Sequence, residues 1–422
     1  MEAMLKSELK RIPDRSEFNE PNGGEDIKRC ELFRLPWSQA DNPGAWIEVT
    51  DLCNFSCPGC FRKNGLTGHR NPEDIKKEIL FCREKLNCSR ICISGGEPLL
   101  YPHILEIIRF ISSQKLKPVL LSNAEFLTPA LARELKKAGL AQYYLHVDSG
   151  QNRPGWQGKS ELEMNALRQH YTDLVYENGK IGCGYNLTIR NSNVNEVHHI
   201  VDWFRKNISR LNHLSLIAYR GIPKYADLDL IVNGKKIDIS LLSNNMENEN
   251  EIDITTDDIY RKLGENLKAL SPAAYLNGIP LEKTYKYLIT LNVGTDKRIF
   301  GTAGAKTAAI QQLMHHALTG RYDALIPDAG RFIFIMALFD KKLRNALKKY
   351  VRYLAGNPLR LFDKVGIQAL ILQQPFEIKE GVVNLCDGCV NLMPYEGKLI
   401  NSCRYDEYRL YGGPIMVIKH QS

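Results

Sequence analysis

Long hydrophobic runs are missing from this 422-residue chain. No stretch reaches the ~18 uncharged apolar residues that a bilayer-spanning helix needs. The nearest, Phe332 to Phe339, is far shorter. The first residues, MEAMLKSELKRIPDRSEF, hold no apolar segment of the signal-peptide kind. Neither sign of charge dominates: the formal net charge is +8, which permits an anionic cofactor, a nucleic acid or a membrane surface and selects none. No internal repeat occurs, and no acid–base pair stands out. These absences lead us to expect a cytoplasmic protein, where thiols stay reduced. Eleven cysteines in that setting point to metal rather than to disulfides. The apolar fraction of 44% and charged fraction of 25% are those of a globular protein, and the length fits two or three domains of ~150 residues.

From residue 45 the pattern alternates strand and helix. Strands are expected at 46–50, 91–93, 118–122, 143–147, 181–189 and 214–219. Helices are expected at 72–86, 102–113, 129–138, 160–177 and 194–207, the first three with Pro at the opening turn. Six strands alternating with five helices imply a parallel sheet with right-handed crossovers, and ligands then gather at the C-terminal strand ends. Residues 1–44 read as an arm or lid, with a turn at 21–24. After Pro223 the alternation stops. Residues 240–258 read as an acidic, Asn-rich surface insertion, and 256–362 as mainly helical, broken at Pro272, Pro280, Pro327 and Pro358. Residues 376–422 are short, turn-rich and cysteine-bearing.

The run Cys53-Asn-Phe-Ser-Cys57-Pro-Gly-Cys60 follows the first strand. Three thiolates on one loop can hold three irons of a [4Fe–4S] cube and leave the fourth open to a small molecule. Zinc is the rival, but structural zinc wants four ligands. Ser94-Gly95-Gly96-Glu97 follows the second strand; its glycines allow close backbone approach, and its carboxylate can accept a hydrogen bond from an ammonium group. Cys82 and Cys92 read as buried core thiols, and Tyr143 and Tyr144 as strand packing.

Together these motifs resemble the radical S-adenosylmethionine (radical SAM) superfamily over residues 45–223. The resemblance implies a partial (β/α)6 barrel of the α/β class, a site-differentiated [4Fe–4S] cluster on Cys53, Cys57 and Cys60, and S-adenosylmethionine (SAM) beside it. It places Ser94, Gly95, Gly96 and Glu97 at the methionyl amino group. Ser122 and Asn123 then correspond to the end of the third strand, Asp148 and Ser149 to the ribose contact, and Asn186 and Arg190 to the end of the fifth strand. Gly59 departs from the aromatic residue many members carry there.

Cys386-Asp-Gly-Cys389, followed by Cys403, makes a second set. Its spacing resembles the twitch or SPASM-like auxiliary-cluster region of the superfamily, as in the molybdopterin-precursor cyclase, and implies a second [4Fe–4S] cluster near the substrate. A zinc knuckle completed by Cys30 or Asp387 is the alternative. The cyclase activity itself is not expected, since residues 224–375, read as a mainly helical insertion and probable substrate wall, have no place in that resemblance.

The expected function is reductive cleavage of SAM to a 5′-deoxyadenosyl radical and hydrogen abstraction from a small-molecule or lipid-like substrate. An electron donor such as flavodoxin or ferredoxin is implied, and no nucleic-acid partner is expected. A peptide-modifying maturase and a non-catalytic iron–sulfur or zinc protein are the alternatives. Residues 339–354 form a basic amphipathic pattern. Its ordinary reading, with the apolar run before it, is a core helix and a solvated face; the sharper one is transient contact with an anionic membrane surface.

Overall fold

The computed structural model describes residues 27–58, 60–219, 228–238, 241–242, 254–267, 270–281, 285–324, 329–379 and 382–419. Most of the arm, Gly59, Pro327 and the centre of the Asn-rich insertion lie outside these residues.

The expected alternation is present, with ends displaced by a few residues. Strand β1 (Gly44–Thr50) leads to α1 (Pro72–Leu86), β2 (Arg90–Gly95), α2 (Ile104–Ser113), β3 (Lys117–Ser122), α3 (Pro129–Ala138), β4 (Gln142–Leu145), α4 (Glu161–Gly179), β5 (Gly182–Ile189), α5 (Val197–Lys206) and β6 (Leu211–Ala218). Local chemistry sets the helix starts. Asn71 caps α1 ahead of Pro72, Thr128 caps α3 ahead of Pro129, and Ser160 with Glu163 forms a reciprocal capping box on α4. Strands β1 to β6 pair in parallel in chain order. Their outer face and the inner stripes of α1–α5 form one apolar core.

The segment 256–362, read as mainly helical, carries three helices and also three strands that the reading did not include. After the strand β7 (Leu228–Val232) and the helix α6 (Thr256–Asn266) come β8 (Ala274–Ile279), β9 (Tyr285–Thr295) and β10 (Arg298–Ala303). Only then follow α7 (Ala305–Thr319) and α8 (Lys341–Ala355). Strand β9 is buried along its whole length, and its sequence does alternate, with Tyr285, Tyr287, Ile289, Leu291 and Val293 against Lys286, Thr290 and Asn292; this period-two signal is the one that the helical reading passes over. The apolar run Phe332–Phe339 is corrected too. It lies in a 3-10 turn (Gly330–Leu338) that buries Ile333 and Ala337 and exposes most of the rest.

Strand β11 (Gly366–Gln373) returns to pair in parallel with β6, and β9 then pairs antiparallel with β11. The tail adds β12 (Glu377–Lys379), β13 (Val382–Cys386), the hairpin β14 (Leu392–Tyr395) and β15 (Lys398–Asn401), helix α9 (Tyr405–Tyr411) and β16 (Met416–Lys419). One open sheet runs in the order β12-β13-β8-β9-β11-β6-β5-β4-β3-β2-β1. No described helix is long and apolar enough to cross a membrane.

Candidate functional site at the C-terminal strand ends

The loop after β1 is closed at its base by Asp51. The carboxylate accepts hydrogen bonds from Leu66 N (2.8 Å), Thr67 N (2.7 Å), Thr67 Oγ1 (3.0 Å) and Gly68 N (2.7 Å). Burial alone would raise its pKa, but these donors outweigh burial and hold it below the usual carboxylate value. Residues 52–64 are thereby pinned as a projecting loop that carries Cys53, Cys57 and Cys60.

The end of β2 lies against this loop. Gly96 N donates to Thr50 O and Glu97 N to Leu52 O, each at 2.8 Å. A Cβ on Gly95 would sit 2.1 Å from Thr50 O, and one on Gly96 2.2 Å from Leu52 O. The glycine pair therefore serves the approach of strand end to cysteine loop, and it also lines the cavity beyond.

That cavity, about 300 Å³, is walled by all six cysteines of the two motifs and by Ser94, Gly95, Gly96, Ser122, Asn123, Asp148, Asn186 and Arg190. The structure thus gathers the sequence-chosen residues, except two. Glu97 is buried behind the wall, where its carboxylate accepts from Leu99 N, Ser122 Oγ (2.8 Å) and Asn123 N (2.7 Å), tying the end of β2 to the end of β3. Ser149 faces Glu161, to which its hydroxyl donates at 2.7 Å.

Asp148 is buried and accepts from Gly150 N (3.0 Å) and Thr188 N (2.9 Å), with His146 Nε2 at 2.6 Å. Burial pushes its pKa up, but His146 and these hydrogen bonds win and hold it at about 2. Three arginines fasten the loop from different sides. Arg153 stands 5.0 Å from the Phe55 ring. Arg190 donates to Pro58 O and lies 4.4 Å over Tyr219. Arg62 donates to Ser402 O at 2.9 Å and pairs with Glu48 at 3.2 Å.

The second trio comes from the end of β13, the turn after it and the 3-10 turn Ser402–Arg404. Asn42 Nδ2 donates to Cys389 O at 2.8 Å, and Asn391 N to Cys389 Sγ at 3.4 Å. All three thiols act on the phenol of Tyr287, whose pKa rises chiefly by burial. Burial pushes Cys57 and Cys403 up to about 12. Cys389 is held below the ordinary thiol value by its hydrogen bond to Cys386. Cys30 is exposed, and Asp387 is ion-paired with Arg34; neither faces the cavity.

Sequence reasoning missed much of the inner sheet face. Cys92 and Tyr144, read as packing residues, line the cavity, with Tyr144 stacked 4.4 Å from His213. Arg90 reaches the same wall and is ion-paired with the buried Asp323. Their signal was parity: residues two apart share a sheet face, so Arg90 and Cys92 mark one side of β2.

The donor chemistry suits an iron–sulfur cluster. Three thiols from one short loop, free of disulfides, share a cavity with an exposed strand-end backbone and a buried carboxylate. No group of three or more His, Cys, Asp or Glu among the described residues gathers closely enough to hold a single metal ion.

A parallel α/β sheet with a cysteine loop and a cavity at its C-terminal edge has its ligand site where α/β folds carry theirs. Residues 47–207 match the model of the radical SAM superfamily. Among similar curated proteins, the GTP 3′,8-cyclase of Alkaliphilus oremlandii is 32% identical over 108 residues, covering 24% of this chain and 34% of that one. The GTP 3′,8-cyclase of Trichodesmium erythraeum is 26% identical over 194 residues, covering 42% and 56%. The chain therefore spans about a third to just over half the length of these relatives. Among solved structures, Streptococcus suis SuiB bound to S-adenosylmethionine overlaps 43% of this chain and 42% of its own, at 16% identity and a TM-score of 0.34.

Proposed function

We propose that Cys53, Cys57 and Cys60 hold a site-differentiated [4Fe–4S] cluster, that Cys386, Cys389 and Cys403 hold a second, and that a small-molecule or lipid-like substrate binds between them. The observation that carries this reading is the single cavity walled by both cysteine trios and by the strand-end residues Ser94 to Gly96, Asp148 and Arg190. A cluster held by Cys53, Cys57 and Cys60 would, once reduced, supply the one electron that reductive cleavage of SAM requires.

The protein's own part is binding, orientation and exclusion of water. The edge of Gly95 and Gly96 offers backbone polar groups to the amino acid end of SAM. Asp148, kept ionised and already accepting from Gly150 N and Thr188 N, holds His146 at the cavity wall. Tyr144 and Tyr287 close the cavity floor with aromatic surface. The electron is expected from a donor such as flavodoxin or ferredoxin.

The test is anaerobic reconstitution of the full chain with iron, sulfide, SAM and dithionite. Methionine and 5′-deoxyadenosine are expected from the natural sequence and not from the variant with Cys53, Cys57 and Cys60 all changed to Ala. Undiminished 5′-deoxyadenosine from that variant overturns the assignment.

A further inference from the structure

Outside the cavity lining, the surface formed by residues 329–364 is both apolar and basic. In a 3-10 helix, side chains three apart eclipse one another. Within Gly330–Leu338, Ile333 and Ala337 turn inward, and Phe334 stacks on Tyr350 of α8 at 5.0 Å. Phe332, Ile335 and Leu338 therefore stand in one row on the opposite side, and Phe332 and Leu338 are 78% and 72% exposed. A second 3-10 turn, Pro358–Phe362, adds Leu359 and Phe362, the latter 84% exposed. The two turns are held side by side. Arg331 donates to the carbonyls of Leu361 and Asp363 and through Nε to Tyr350 Oη at 3.1 Å. Aromatic side chains this exposed and this close together on a structured turn mark a contact surface.

The charges around them have one sign. Residues 329–364 contain nine Lys or Arg and two acids, Asp340 and Asp363. Both acids are committed within the fold. Asp340 caps α8 and accepts from Gly304 N and Thr307 Oγ1, and Asp363 pairs with Lys297 at 2.8 Å. Lys341, Lys348, Lys349 and Arg352 stand on the exposed side of α8, beside the apolar turns.

We propose that this face docks the protein on an anionic lipid bilayer, the aromatic and leucine side chains entering the interface and the α8 cations lying against the lipid phosphates. The charge decides between occupants. A second copy meeting this face about a two-fold axis would set like charges opposite one another, whereas an anionic surface neutralises them.

Co-sedimentation of the full chain with phosphatidylcholine vesicles, with and without about a third phosphatidylserine, tests this. At low salt, affinity at least tenfold higher for the anionic vesicles is expected. Lys348→Glu with Lys349→Glu and Arg352→Glu should abolish the preference. Phe332→Ser with Leu338→Ser and Phe362→Ser should remove binding that survives added salt. Both variants should keep the iron content and melting temperature of the parent. The proposal is overturned if anionic vesicles do not bind the chain at low salt, or if the serine variant binds as the parent does. It is equally overturned if the serine substitutions instead abolish a concentration-dependent dimer while vesicles remain unbound.

Discussion

Arg409, on helix α9, joins the tail of the chain to the base of the first cysteine loop, and its removal should be felt at both. Its guanidinium pairs with Glu48 at 3.0 Å and Asp51 at 3.2 Å and donates to Lys63 O at 3.3 Å. Glu48 and Asp51 are almost wholly buried. Deleting one partner of a buried ion pair costs about 3–5 kcal/mol, because the remaining charge is left without compensation. Here each acid keeps other partners: Glu48 keeps Arg62 at 3.2 Å, and Asp51 keeps its donors in the loop. The lower end applies, so Arg409→Ala should cost about 3 kcal/mol and lower the melting temperature by about 3 °C. Arg409→Lys, which retains charge but loses the planar fork, should fall between the two. The readout specific to the site is iron. Because Asp51 pins the loop that carries Cys53 to Cys60, the alanine variant should reconstitute with less iron than the parent under identical conditions. A double-mutant cycle with Glu48→Gln should return a coupling of about 1 kcal/mol or more. A melting temperature within about 1 °C of the parent, with full iron loading, would refute the reasoning.

Anaerobic reconstitution should give roughly eight irons per chain if each trio holds a four-iron cluster; about four irons with one zinc by elemental analysis would favour a zinc knuckle at Cys386, Cys389 and Cys403. Gly96→Ala places a Cβ 2.2 Å from Leu52 O, so it should cost about 1–3 kcal/mol and depress both iron content and SAM affinity measured by equilibrium dialysis. Asp148 is held at about 2 in the folded protein against about 3.9 unfolded, so its contribution is complete above about pH 4 and is lost as pH falls towards 2. The loss amounts to roughly 2.6 kcal/mol, and denaturant titrations across that range should show a shallower acid decline in Asp148→Asn than in the parent.

What could be read in the sequence followed from short-range signals. The three-cysteine loop, the Gly-Gly step and the capped helices α1, α3 and α4 lie within a few residues of the strand or helix they serve, and their chemistry shows in the spacing. Glu97 was chosen for its charge, yet it serves the joint between β2 and β3, because a carboxylate surrounded by three donors is spoken for before any ligand arrives. Strand β9 carried a period-two alternation from Tyr285 to Val293 that the helical reading missed; what the sequence could not show is that its polar side is buried as well, with Lys286 satisfied by Pro375 O and Glu377. Tyr144, His213 and Arg90 were hidden for a different reason: which face of a strand meets the cavity depends on how the whole sheet curls, and that is not a local property. The contact between Arg409 and Glu48 spans 361 positions, beyond any spacing rule.

The cysteine loop hangs from β1, at one end of the sheet, and Cys386 closes β13, next to the other end. Both nevertheless face one cavity. The interval between the trios is therefore set by the camber of the sheet, as the gap of a calliper is set by its frame. Strand count and register act as its gauge, and a slip of one residue in any pairing flips alternate side chains and resets the opening. A substitution in the middle of the sheet, remote from every cysteine, can thus detune the site without altering any residue that touches it.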